Sequence, residues 1–324
     1  MSIQLDKKKS QLFMALGQYK THSFIFFGIY DDKNKVTHLI AKAGKFFVRT
    51  KDDSSCGVLA NFLFYRHKSQ LEAEKLRSKN ENVPCSYHAY DISYTQYVEW
   101  IKLIEGLQTA SNPFKCYKPI CTNEDSVTLK LTSTRIFEHV ENRAEINKSV
   151  SSLNLYNTCR HTAIRLAEEV LKKGFSSTVS SHFFVTLPCK TMLNKGLPSS
   201  EIPFYVLPAP PNACSDLPDN KKKLAEQFYR RMEHLIVLNP NSIETQNKFN
   251  LLKIFYKELI GTKREQSLDD LLCCIHDWKE TNKECLSTLR KTYFWDSFIS
   301  RQSASMGLIE KVEQDLRSQL LLLL

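Results

Sequence analysis

Two patterns of apolar positions divide the chain. Over its first two thirds, short apolar and aromatic runs alternate with polar turns. Thr21-His-Ser-Phe-Ile-Phe-Phe-Gly-Ile-Tyr30 is rich in β-branched and aromatic residues and predicts a strand. Asp31-Asp-Lys-Asn-Lys35 is turn chemistry, and residues 36–41 predict the returning arm of a β-hairpin. Residues 84–91, 114–120 and 127–131 predict further strands, as do the proline-ended stretches 181–188 and 202–211. Helical patterns interrupt them. A short helix is expected around residues 11–16, another over residues 57–65 with a charged, solvated end at 72–79. Ser93 or Thr95 caps a third, carrying Tyr97, Val98, Ile101, Leu103 and Ile104. Residues 138–152 read as a polar linker.

Past Asn212 the pattern changes to helical periodicity at residues 217–238, 242–259, 268–278 and 286–300, with no strand between. The expectation is an α+β unit at 1–212 and a helical region at 213–324, separated by the proline-rich stretch 208–218.

One predicted helix carries chemistry. In residues 157–174, Ala163, Leu166, Ala167, Val170 and Leu171 form an apolar stripe, Asn157 or Thr158 serves as N-cap, and Gly174 stops the helix. Cys159 then falls in the first turn, where unpaired backbone N–H groups and the positive end of the helix dipole favour the nucleophilic thiolate. The competing reading is an inert buried cysteine, a common fate for this residue type. A cysteine nucleophile needs a base. His161 points about 200° round the helix axis from Cys159 and is poorly aimed. His67, His139, His234 and His276 lie in polar or helical contexts and read as surface residues, while His88 and His182 stay open. His22 and His38 lie on the two arms of one hairpin. Whether they share a face depends on a register that the five-residue turn leaves open, and each can equally be an ordinary strand histidine.

Composition narrows the classes. The 324 residues carry a net charge of +10, which suits an anionic partner, an acidic protein or an anionic membrane surface. Lysine clusters reach three residues at most and match no nucleic-acid module, so no sequence-specific nucleic acid is expected. The ten cysteines have no regular spacing and read as reduced thiols in a reducing cytosol. No apolar stretch follows the polar opening as in a signal peptide, and no run is long enough to span a bilayer. Nine single glycines form no phosphate-binding loop, and Cys85, His88, Cys116 and Cys121 lack the tight knuckle of a zinc site. Neither a cofactor nor a metal is expected.

A histidine at the start of a strand, a second on the next strand, and a downstream helix opening with Tyr156-Asn-Thr-Cys-Arg-His161 together resemble the circularly permuted papain-like superfamily. That group includes the NlpC/P60-like and lecithin:retinol acyltransferase-like proteins. Here one extra residue separates Asn157 from Cys159, the interval from His38 to Cys159 is longer, and no aromatic follows His161. With His38-Leu-Ile-Ala-Lys-Ala-Gly-Lys45, Phe183–Pro188 and Phe204–Pro211 added, the chain also resembles Legionella type IV-secreted effectors of the Ceg group with a cysteine-protease-like core. The resemblance implies a papain-like α+β core. It makes Cys159 the nucleophile, His22 the general base and His38 the orienting group, with Asn157 or a backbone N–H at the helix start as the oxyanion donor. It further implies secretion into a host cytosol, a C-terminal secretion signal ending in Leu320–Leu324, and a host protein as substrate. The alternative is a non-catalytic module that binds a host protein or an anionic membrane. The sequence assigns neither the bond attacked nor the oligomeric state.

Overall fold

The computed structural model describes residues 2–48, 67–74, 82–108, 113–137, 144–171, 179–182, 184–194, 196–214, 217–261, 266–289 and 301–322. The chain divides into two compact units, Met1–Ala209 and Pro210–Leu324, within the proline-rich stretch.

The first unit is mixed α and β. In chain order its elements are β1 (Ser2–Asp6), β2 (Gln11–Tyr19), β3 (His22–Tyr30), β4 (Val36–Phe47), β5 (His67–Ala73), β6 (Val83–Ile92), α1 (Tyr94–Leu107), β7 (Cys116–Thr122) and β8 (Ser126–Thr132). There follow α2 (Ala144–Ser151), β9 (Ser152–Leu153), α3 (Cys159–Leu171), β10 (Cys189–Asn194), β11 (Leu197–Pro198) and β12 (Val206–Leu207). A nine-stranded sheet runs β11-β10-β6-β2-β3-β4-β5-β9, antiparallel throughout, with β12 added parallel to β6. A separate antiparallel sheet has the order β1-β8-β7.

The centre of the large sheet is apolar on both faces. Phe27 packs on Trp100 of α1 at 4.3 Å, and Phe13 packs on Phe204 at 4.9 Å. Helix α3 lies across β2, β3 and β4 and buries Ala163, Leu166, Ala167, Val170 and Leu171, its expected stripe. Ser93 caps α1 in a capping box with Gln96, so the first of the two expected caps is the one used.

Five local expectations are corrected. Residues 11–16 belong to strand β2, not to a helix. Their Leu, Met, Ala and Gln favour helix by propensity, but β2 is paired on both edges, with β3 and β6, and Leu12–Gln18 are all buried. Residues 67–73 form strand β5, so the charged run begins inside a sheet; residues 57–65 and 75–79 lie outside the described residues. The expected linker contains helix α2. Residues 184–188 are irregular, and the pairing expected there starts at Cys189. Likewise only Val206 and Leu207 of 202–211 pair as strand, because Phe204 turns onto Phe13 and stacks on Tyr87 at 4.2 Å, covering the sheet instead of extending it.

The second unit contains α4 (Asp219–Leu238), α5 (Ile243–Gly261), α6 (Leu268–Thr281), α7 (Lys283–Ser287) and α8 (Ala304–Leu321), with no strand among its described residues. Phe255 bridges Phe228 at 5.0 Å and Trp278 at 4.3 Å in its core. Leu321 and Leu322 at the chain end are exposed. Among the described residues, no helix is long and apolar enough to cross a membrane.

Candidate active site

A two-residue turn, Lys20–Thr21, joins β2 to β3, with Lys20 in the left-handed region at φ 53°. It delivers His22 to the first position of β3, opposite Tyr19. Helix α3 starts at Cys159, and its first turn is built tightly. Thr158 provides the cap carbonyl for Thr162 N–H, and His161 folds back so that its Nδ1 accepts from Thr158 N–H and meets the Thr158 hydroxyl at 2.9 Å. The Nδ1 of His161 is thereby committed to capping.

The start of β3 meets the start of α3 and brings His22 and Cys159 together. The backbone N–H of Ser23 donates to Cys159 Sγ at 3.3 Å, and the thiol lies 3.8 Å from the Thr21 carbonyl. His22 Nε2 meets Glu74 Oε2 at 2.7 Å, and the Cys159 side chain lies near enough to the ring to act on its charge. With Nε2 committed to Glu74, Nδ1 is the ring nitrogen left for the sulfur. The Glu74 side chain is 5% exposed and that of His22 28%. The sequence offered no local sign of Glu74, which sits in a charged run. The alternation of buried His67, Ser69 and Leu71 is the signal that would have placed a strand before it.

The electrostatics follow from this arrangement. Burial disfavours the charged imidazolium, but hydrogen bonds to Cys159 and Glu74 outweigh it and raise the His22 pKa to about 9. Burial pushes the Cys159 thiol up, whereas the hydrogen bonds from His22 and Ser23 N–H and the positive imidazolium pull it further down, below its ordinary value. The pair therefore favours thiolate and imidazolium, the reactive state of a cysteine nucleophile.

Gly44 makes room for this contact. A Cβ there would lie 2.8 Å from His22 Nε2 and closer still to Glu74 Oε2, so any side chain would wedge into the hydrogen bond. Phe46 packs against the His22 ring at 4.9 Å. On the far side of the sulfur, the Arg160 guanidinium donates to Ser180 O, Gln18 Oε1 and Val185 O at 2.8, 2.9 and 2.7 Å. It ties Ser180 and Val185 to the helix start; Phe184 is 69% exposed and Tyr156 is 90% exposed.

Two expected roles are corrected. His38 pairs with Ile29 in the β3–β4 register, seven positions from His22 along β3, or about 23 Å. It is exposed and contacts Thr37 Oγ1 at 3.2 Å, so Glu74 occupies the place given to His38. Asn157 has no free amide for an oxyanion. Its Nδ2 donates to Ser149 O and Ser152 O at 2.9 and 2.6 Å, and its Oδ1 accepts from Ser149 Oγ. The backbone N–H groups of the first turn are left as the candidate oxyanion donors.

The other histidines are elsewhere. His88 is buried against Tyr90, and burial depresses its pKa to about 3. His67 is buried, against the surface expectation, and packs edge-on to Phe47 at 5.7 Å. His182 and His234 are exposed, His276 pairs with Glu313 at 3.0 Å, and His139 lies outside the described residues. Cys85 and His88 are on β6 and Cys116 and Cys121 on β7, in different sheets; among the described residues no group of three or more His, Cys, Asp or Glu could hold a metal.

No family model, curated protein or solved structure matches the chain.

Proposed function

We propose that the protein is a cysteine-dependent hydrolase or acyl-group transferase, with Cys159 as nucleophile, His22 as acid and base, and Glu74 as the group that orients and charges His22. The observation that carries this reading is the His22 ring held between a buried carboxylate and a helix-start thiol.

In the reaction, the Cys159 thiolate attacks a carbonyl carbon. Backbone N–H groups of the first α3 turn stabilise the resulting oxyanion. Collapse breaks the bond to the leaving group, which takes the His22 proton, and leaves a thioester on Sγ. Water or a second acceptor, deprotonated by His22, then attacks the thioester and returns the thiolate. Amide, isopeptide and ester bonds all fit this sequence, and the fold does not choose among them. The papain-like ancestry and action on a host protein rest on the motif resemblance alone.

The test is competitive alkylation with iodoacetamide, read by mass spectrometry. Cys159 should label before the other cysteines at pH 7, and His22→Ala should slow it about a hundredfold. Sluggish labelling of Cys159, indistinguishable from buried Cys85 or Cys189, would favour a non-catalytic binding module.

A further inference from the structure

A cleft of about 340 Å³ opens between α2 and the start of α3. Lys148 and Arg165 stand on its walls, and neither makes a side-chain hydrogen bond or ion pair among the described residues. Glu145, the one carboxylate on the wall, pairs with neither. The floor includes Ser149 and Asn157. Directly behind them lies Lys45, 3% exposed, whose Nζ donates to Ser149 O, Asn157 O and Thr162 Oγ1 at 2.7, 2.8 and 3.1 Å.

All three acceptors of Lys45 are neutral. A buried ammonium without a carboxylate partner is unusual, because desolvation is ordinarily offset by an opposite charge. The same unit shows the ordinary solution: Lys118, equally buried, meets Glu105 at 2.6 Å. A cation beneath the N-terminal end of α3 also adds to the positive helix dipole there instead of opposing it. Burial lowers the pKa of His161 on the cleft wall, and the charges acting on it, Lys45, Arg165, His182 and Arg160, are all cationic. The cleft therefore has two cationic side chains on its walls, Lys148 and Arg165, that its one carboxylate does not pair.

We propose that this cleft is a subsite for an anionic side chain, carboxylate or phosphorylated, of a peptide substrate whose scissile carbonyl lies at Cys159. The inference rests on the catalytic reading above and adds a substrate preference to it. Asn157 and His161, each two residues from Cys159 in the chain, line the cleft, so it lies beside the same α3 start that carries the sulfur. Lys148 and Arg165 would meet the anion, and Tyr156 would flank it.

The experiment labels the full chain with peptidyl vinyl sulfones that differ in one residue: Glu, phosphoserine or Gln, placed in turn at each of three positions on either side of the electrophilic carbon. The readout is the ratio of Cys159 labelling rates for the anionic and Gln probes within each protein. A preference of about tenfold for an anionic probe at one position is expected, falling to near unity in the double variant Lys148→Ala/Arg165→Ala and weakening in high salt. A Glu preference would identify a carboxylate as the natural anion, and a phosphoserine preference a phosphate. Equal rates at every position, or a preference that survives the double variant, would overturn the subsite. So would binding of phosphatidylserine vesicles that depends on Lys148 and Arg165 without any peptide preference. Iodoacetamide labelling separates the two levels: failure of Cys159 to react with it would remove the catalytic reading, whereas a reactive Cys159 without anion preference would remove only the subsite.

Discussion

The two ends of the β3–β4 ribbon carry one histidine each, and only one end is built as a site. At one end His22 is enclosed by Phe46, hydrogen-bonded to buried Glu74 and linked to Cys159. At the other, His38 is exposed beside Thr37. Both residues lie on strands of the same hairpin, in similar polar-apolar context. The difference is what the neighbouring elements bring: β5 ends at the His22 side and delivers a carboxylate, while α3 begins there and delivers a thiol. A histidine becomes an acid–base group through its partners, since free imidazole titrates near neutrality wherever it stands.

The sharpest way to break this comparison is to make the His22 end resemble the His38 end. Glu74→Gln keeps the shape but removes the charge that favours imidazolium. Cys159 labelling at pH 7 should fall about ten- to a hundredfold, and the inflection of the labelling–pH profile should move up. Gly44→Ala should act in the same direction more weakly, about tenfold, because its Cβ separates His22 from Glu74. It should also cost about 1–3 kcal/mol of stability through overpacking, measurable by urea unfolding.

The pH dependence sharpens the comparison. His22 has a raised pKa in the folded protein, so its contribution to stability is fully present below its unfolded value of 6.5 and is lost as pH rises through about 9. The difference in urea midpoint between wild type and His22→Ala should therefore shrink between pH 6 and pH 10. Wild-type Cys159 should show an alkylation inflection below the ordinary thiol value of 9.0. The smallest effect belongs to His38→Ala. Stability should change by less than about 0.5 kcal/mol and Cys159 labelling should stay constant; a tenfold loss would restore His38 to the site.

The two buried lysines of the first unit make the same point about partners. Lys118 meets Glu105, which also accepts N–H groups of Ile136 and Phe137, forming a closed network in the core. Lys45 has only neutral oxygens, all in the segment around Cys159. Burial lowers its pKa to about 7, while the negative charge of the Cys159 thiolate pulls it up and Arg165 pushes it down. One lysine is paired with a carboxylate; the other has neutral hydrogen-bond partners and the field of Cys159.

The sequence by itself determined the helix that begins at Cys159, because a cap, an apolar stripe at 3.6-residue spacing and the cysteine in the first turn are all local features. It also determined the β3–β4 hairpin and the change to helices after the proline-rich stretch, both set by short-range pattern. Tertiary structure decided the rest. β2 is a strand because two neighbours pair with it, against the helix preference of its own residues. His22 and not His38 meets the thiol because strand register and the docking of α3 are set by contacts across more than a hundred residues. Glu74 becomes the third member because the end of β5 is carried under the sheet edge, and no spacing rule along a chain encodes which exposed-looking carboxylate will be buried beside a particular ring. Local chemistry placed Cys159 at a helix start; long-range packing chose its partners.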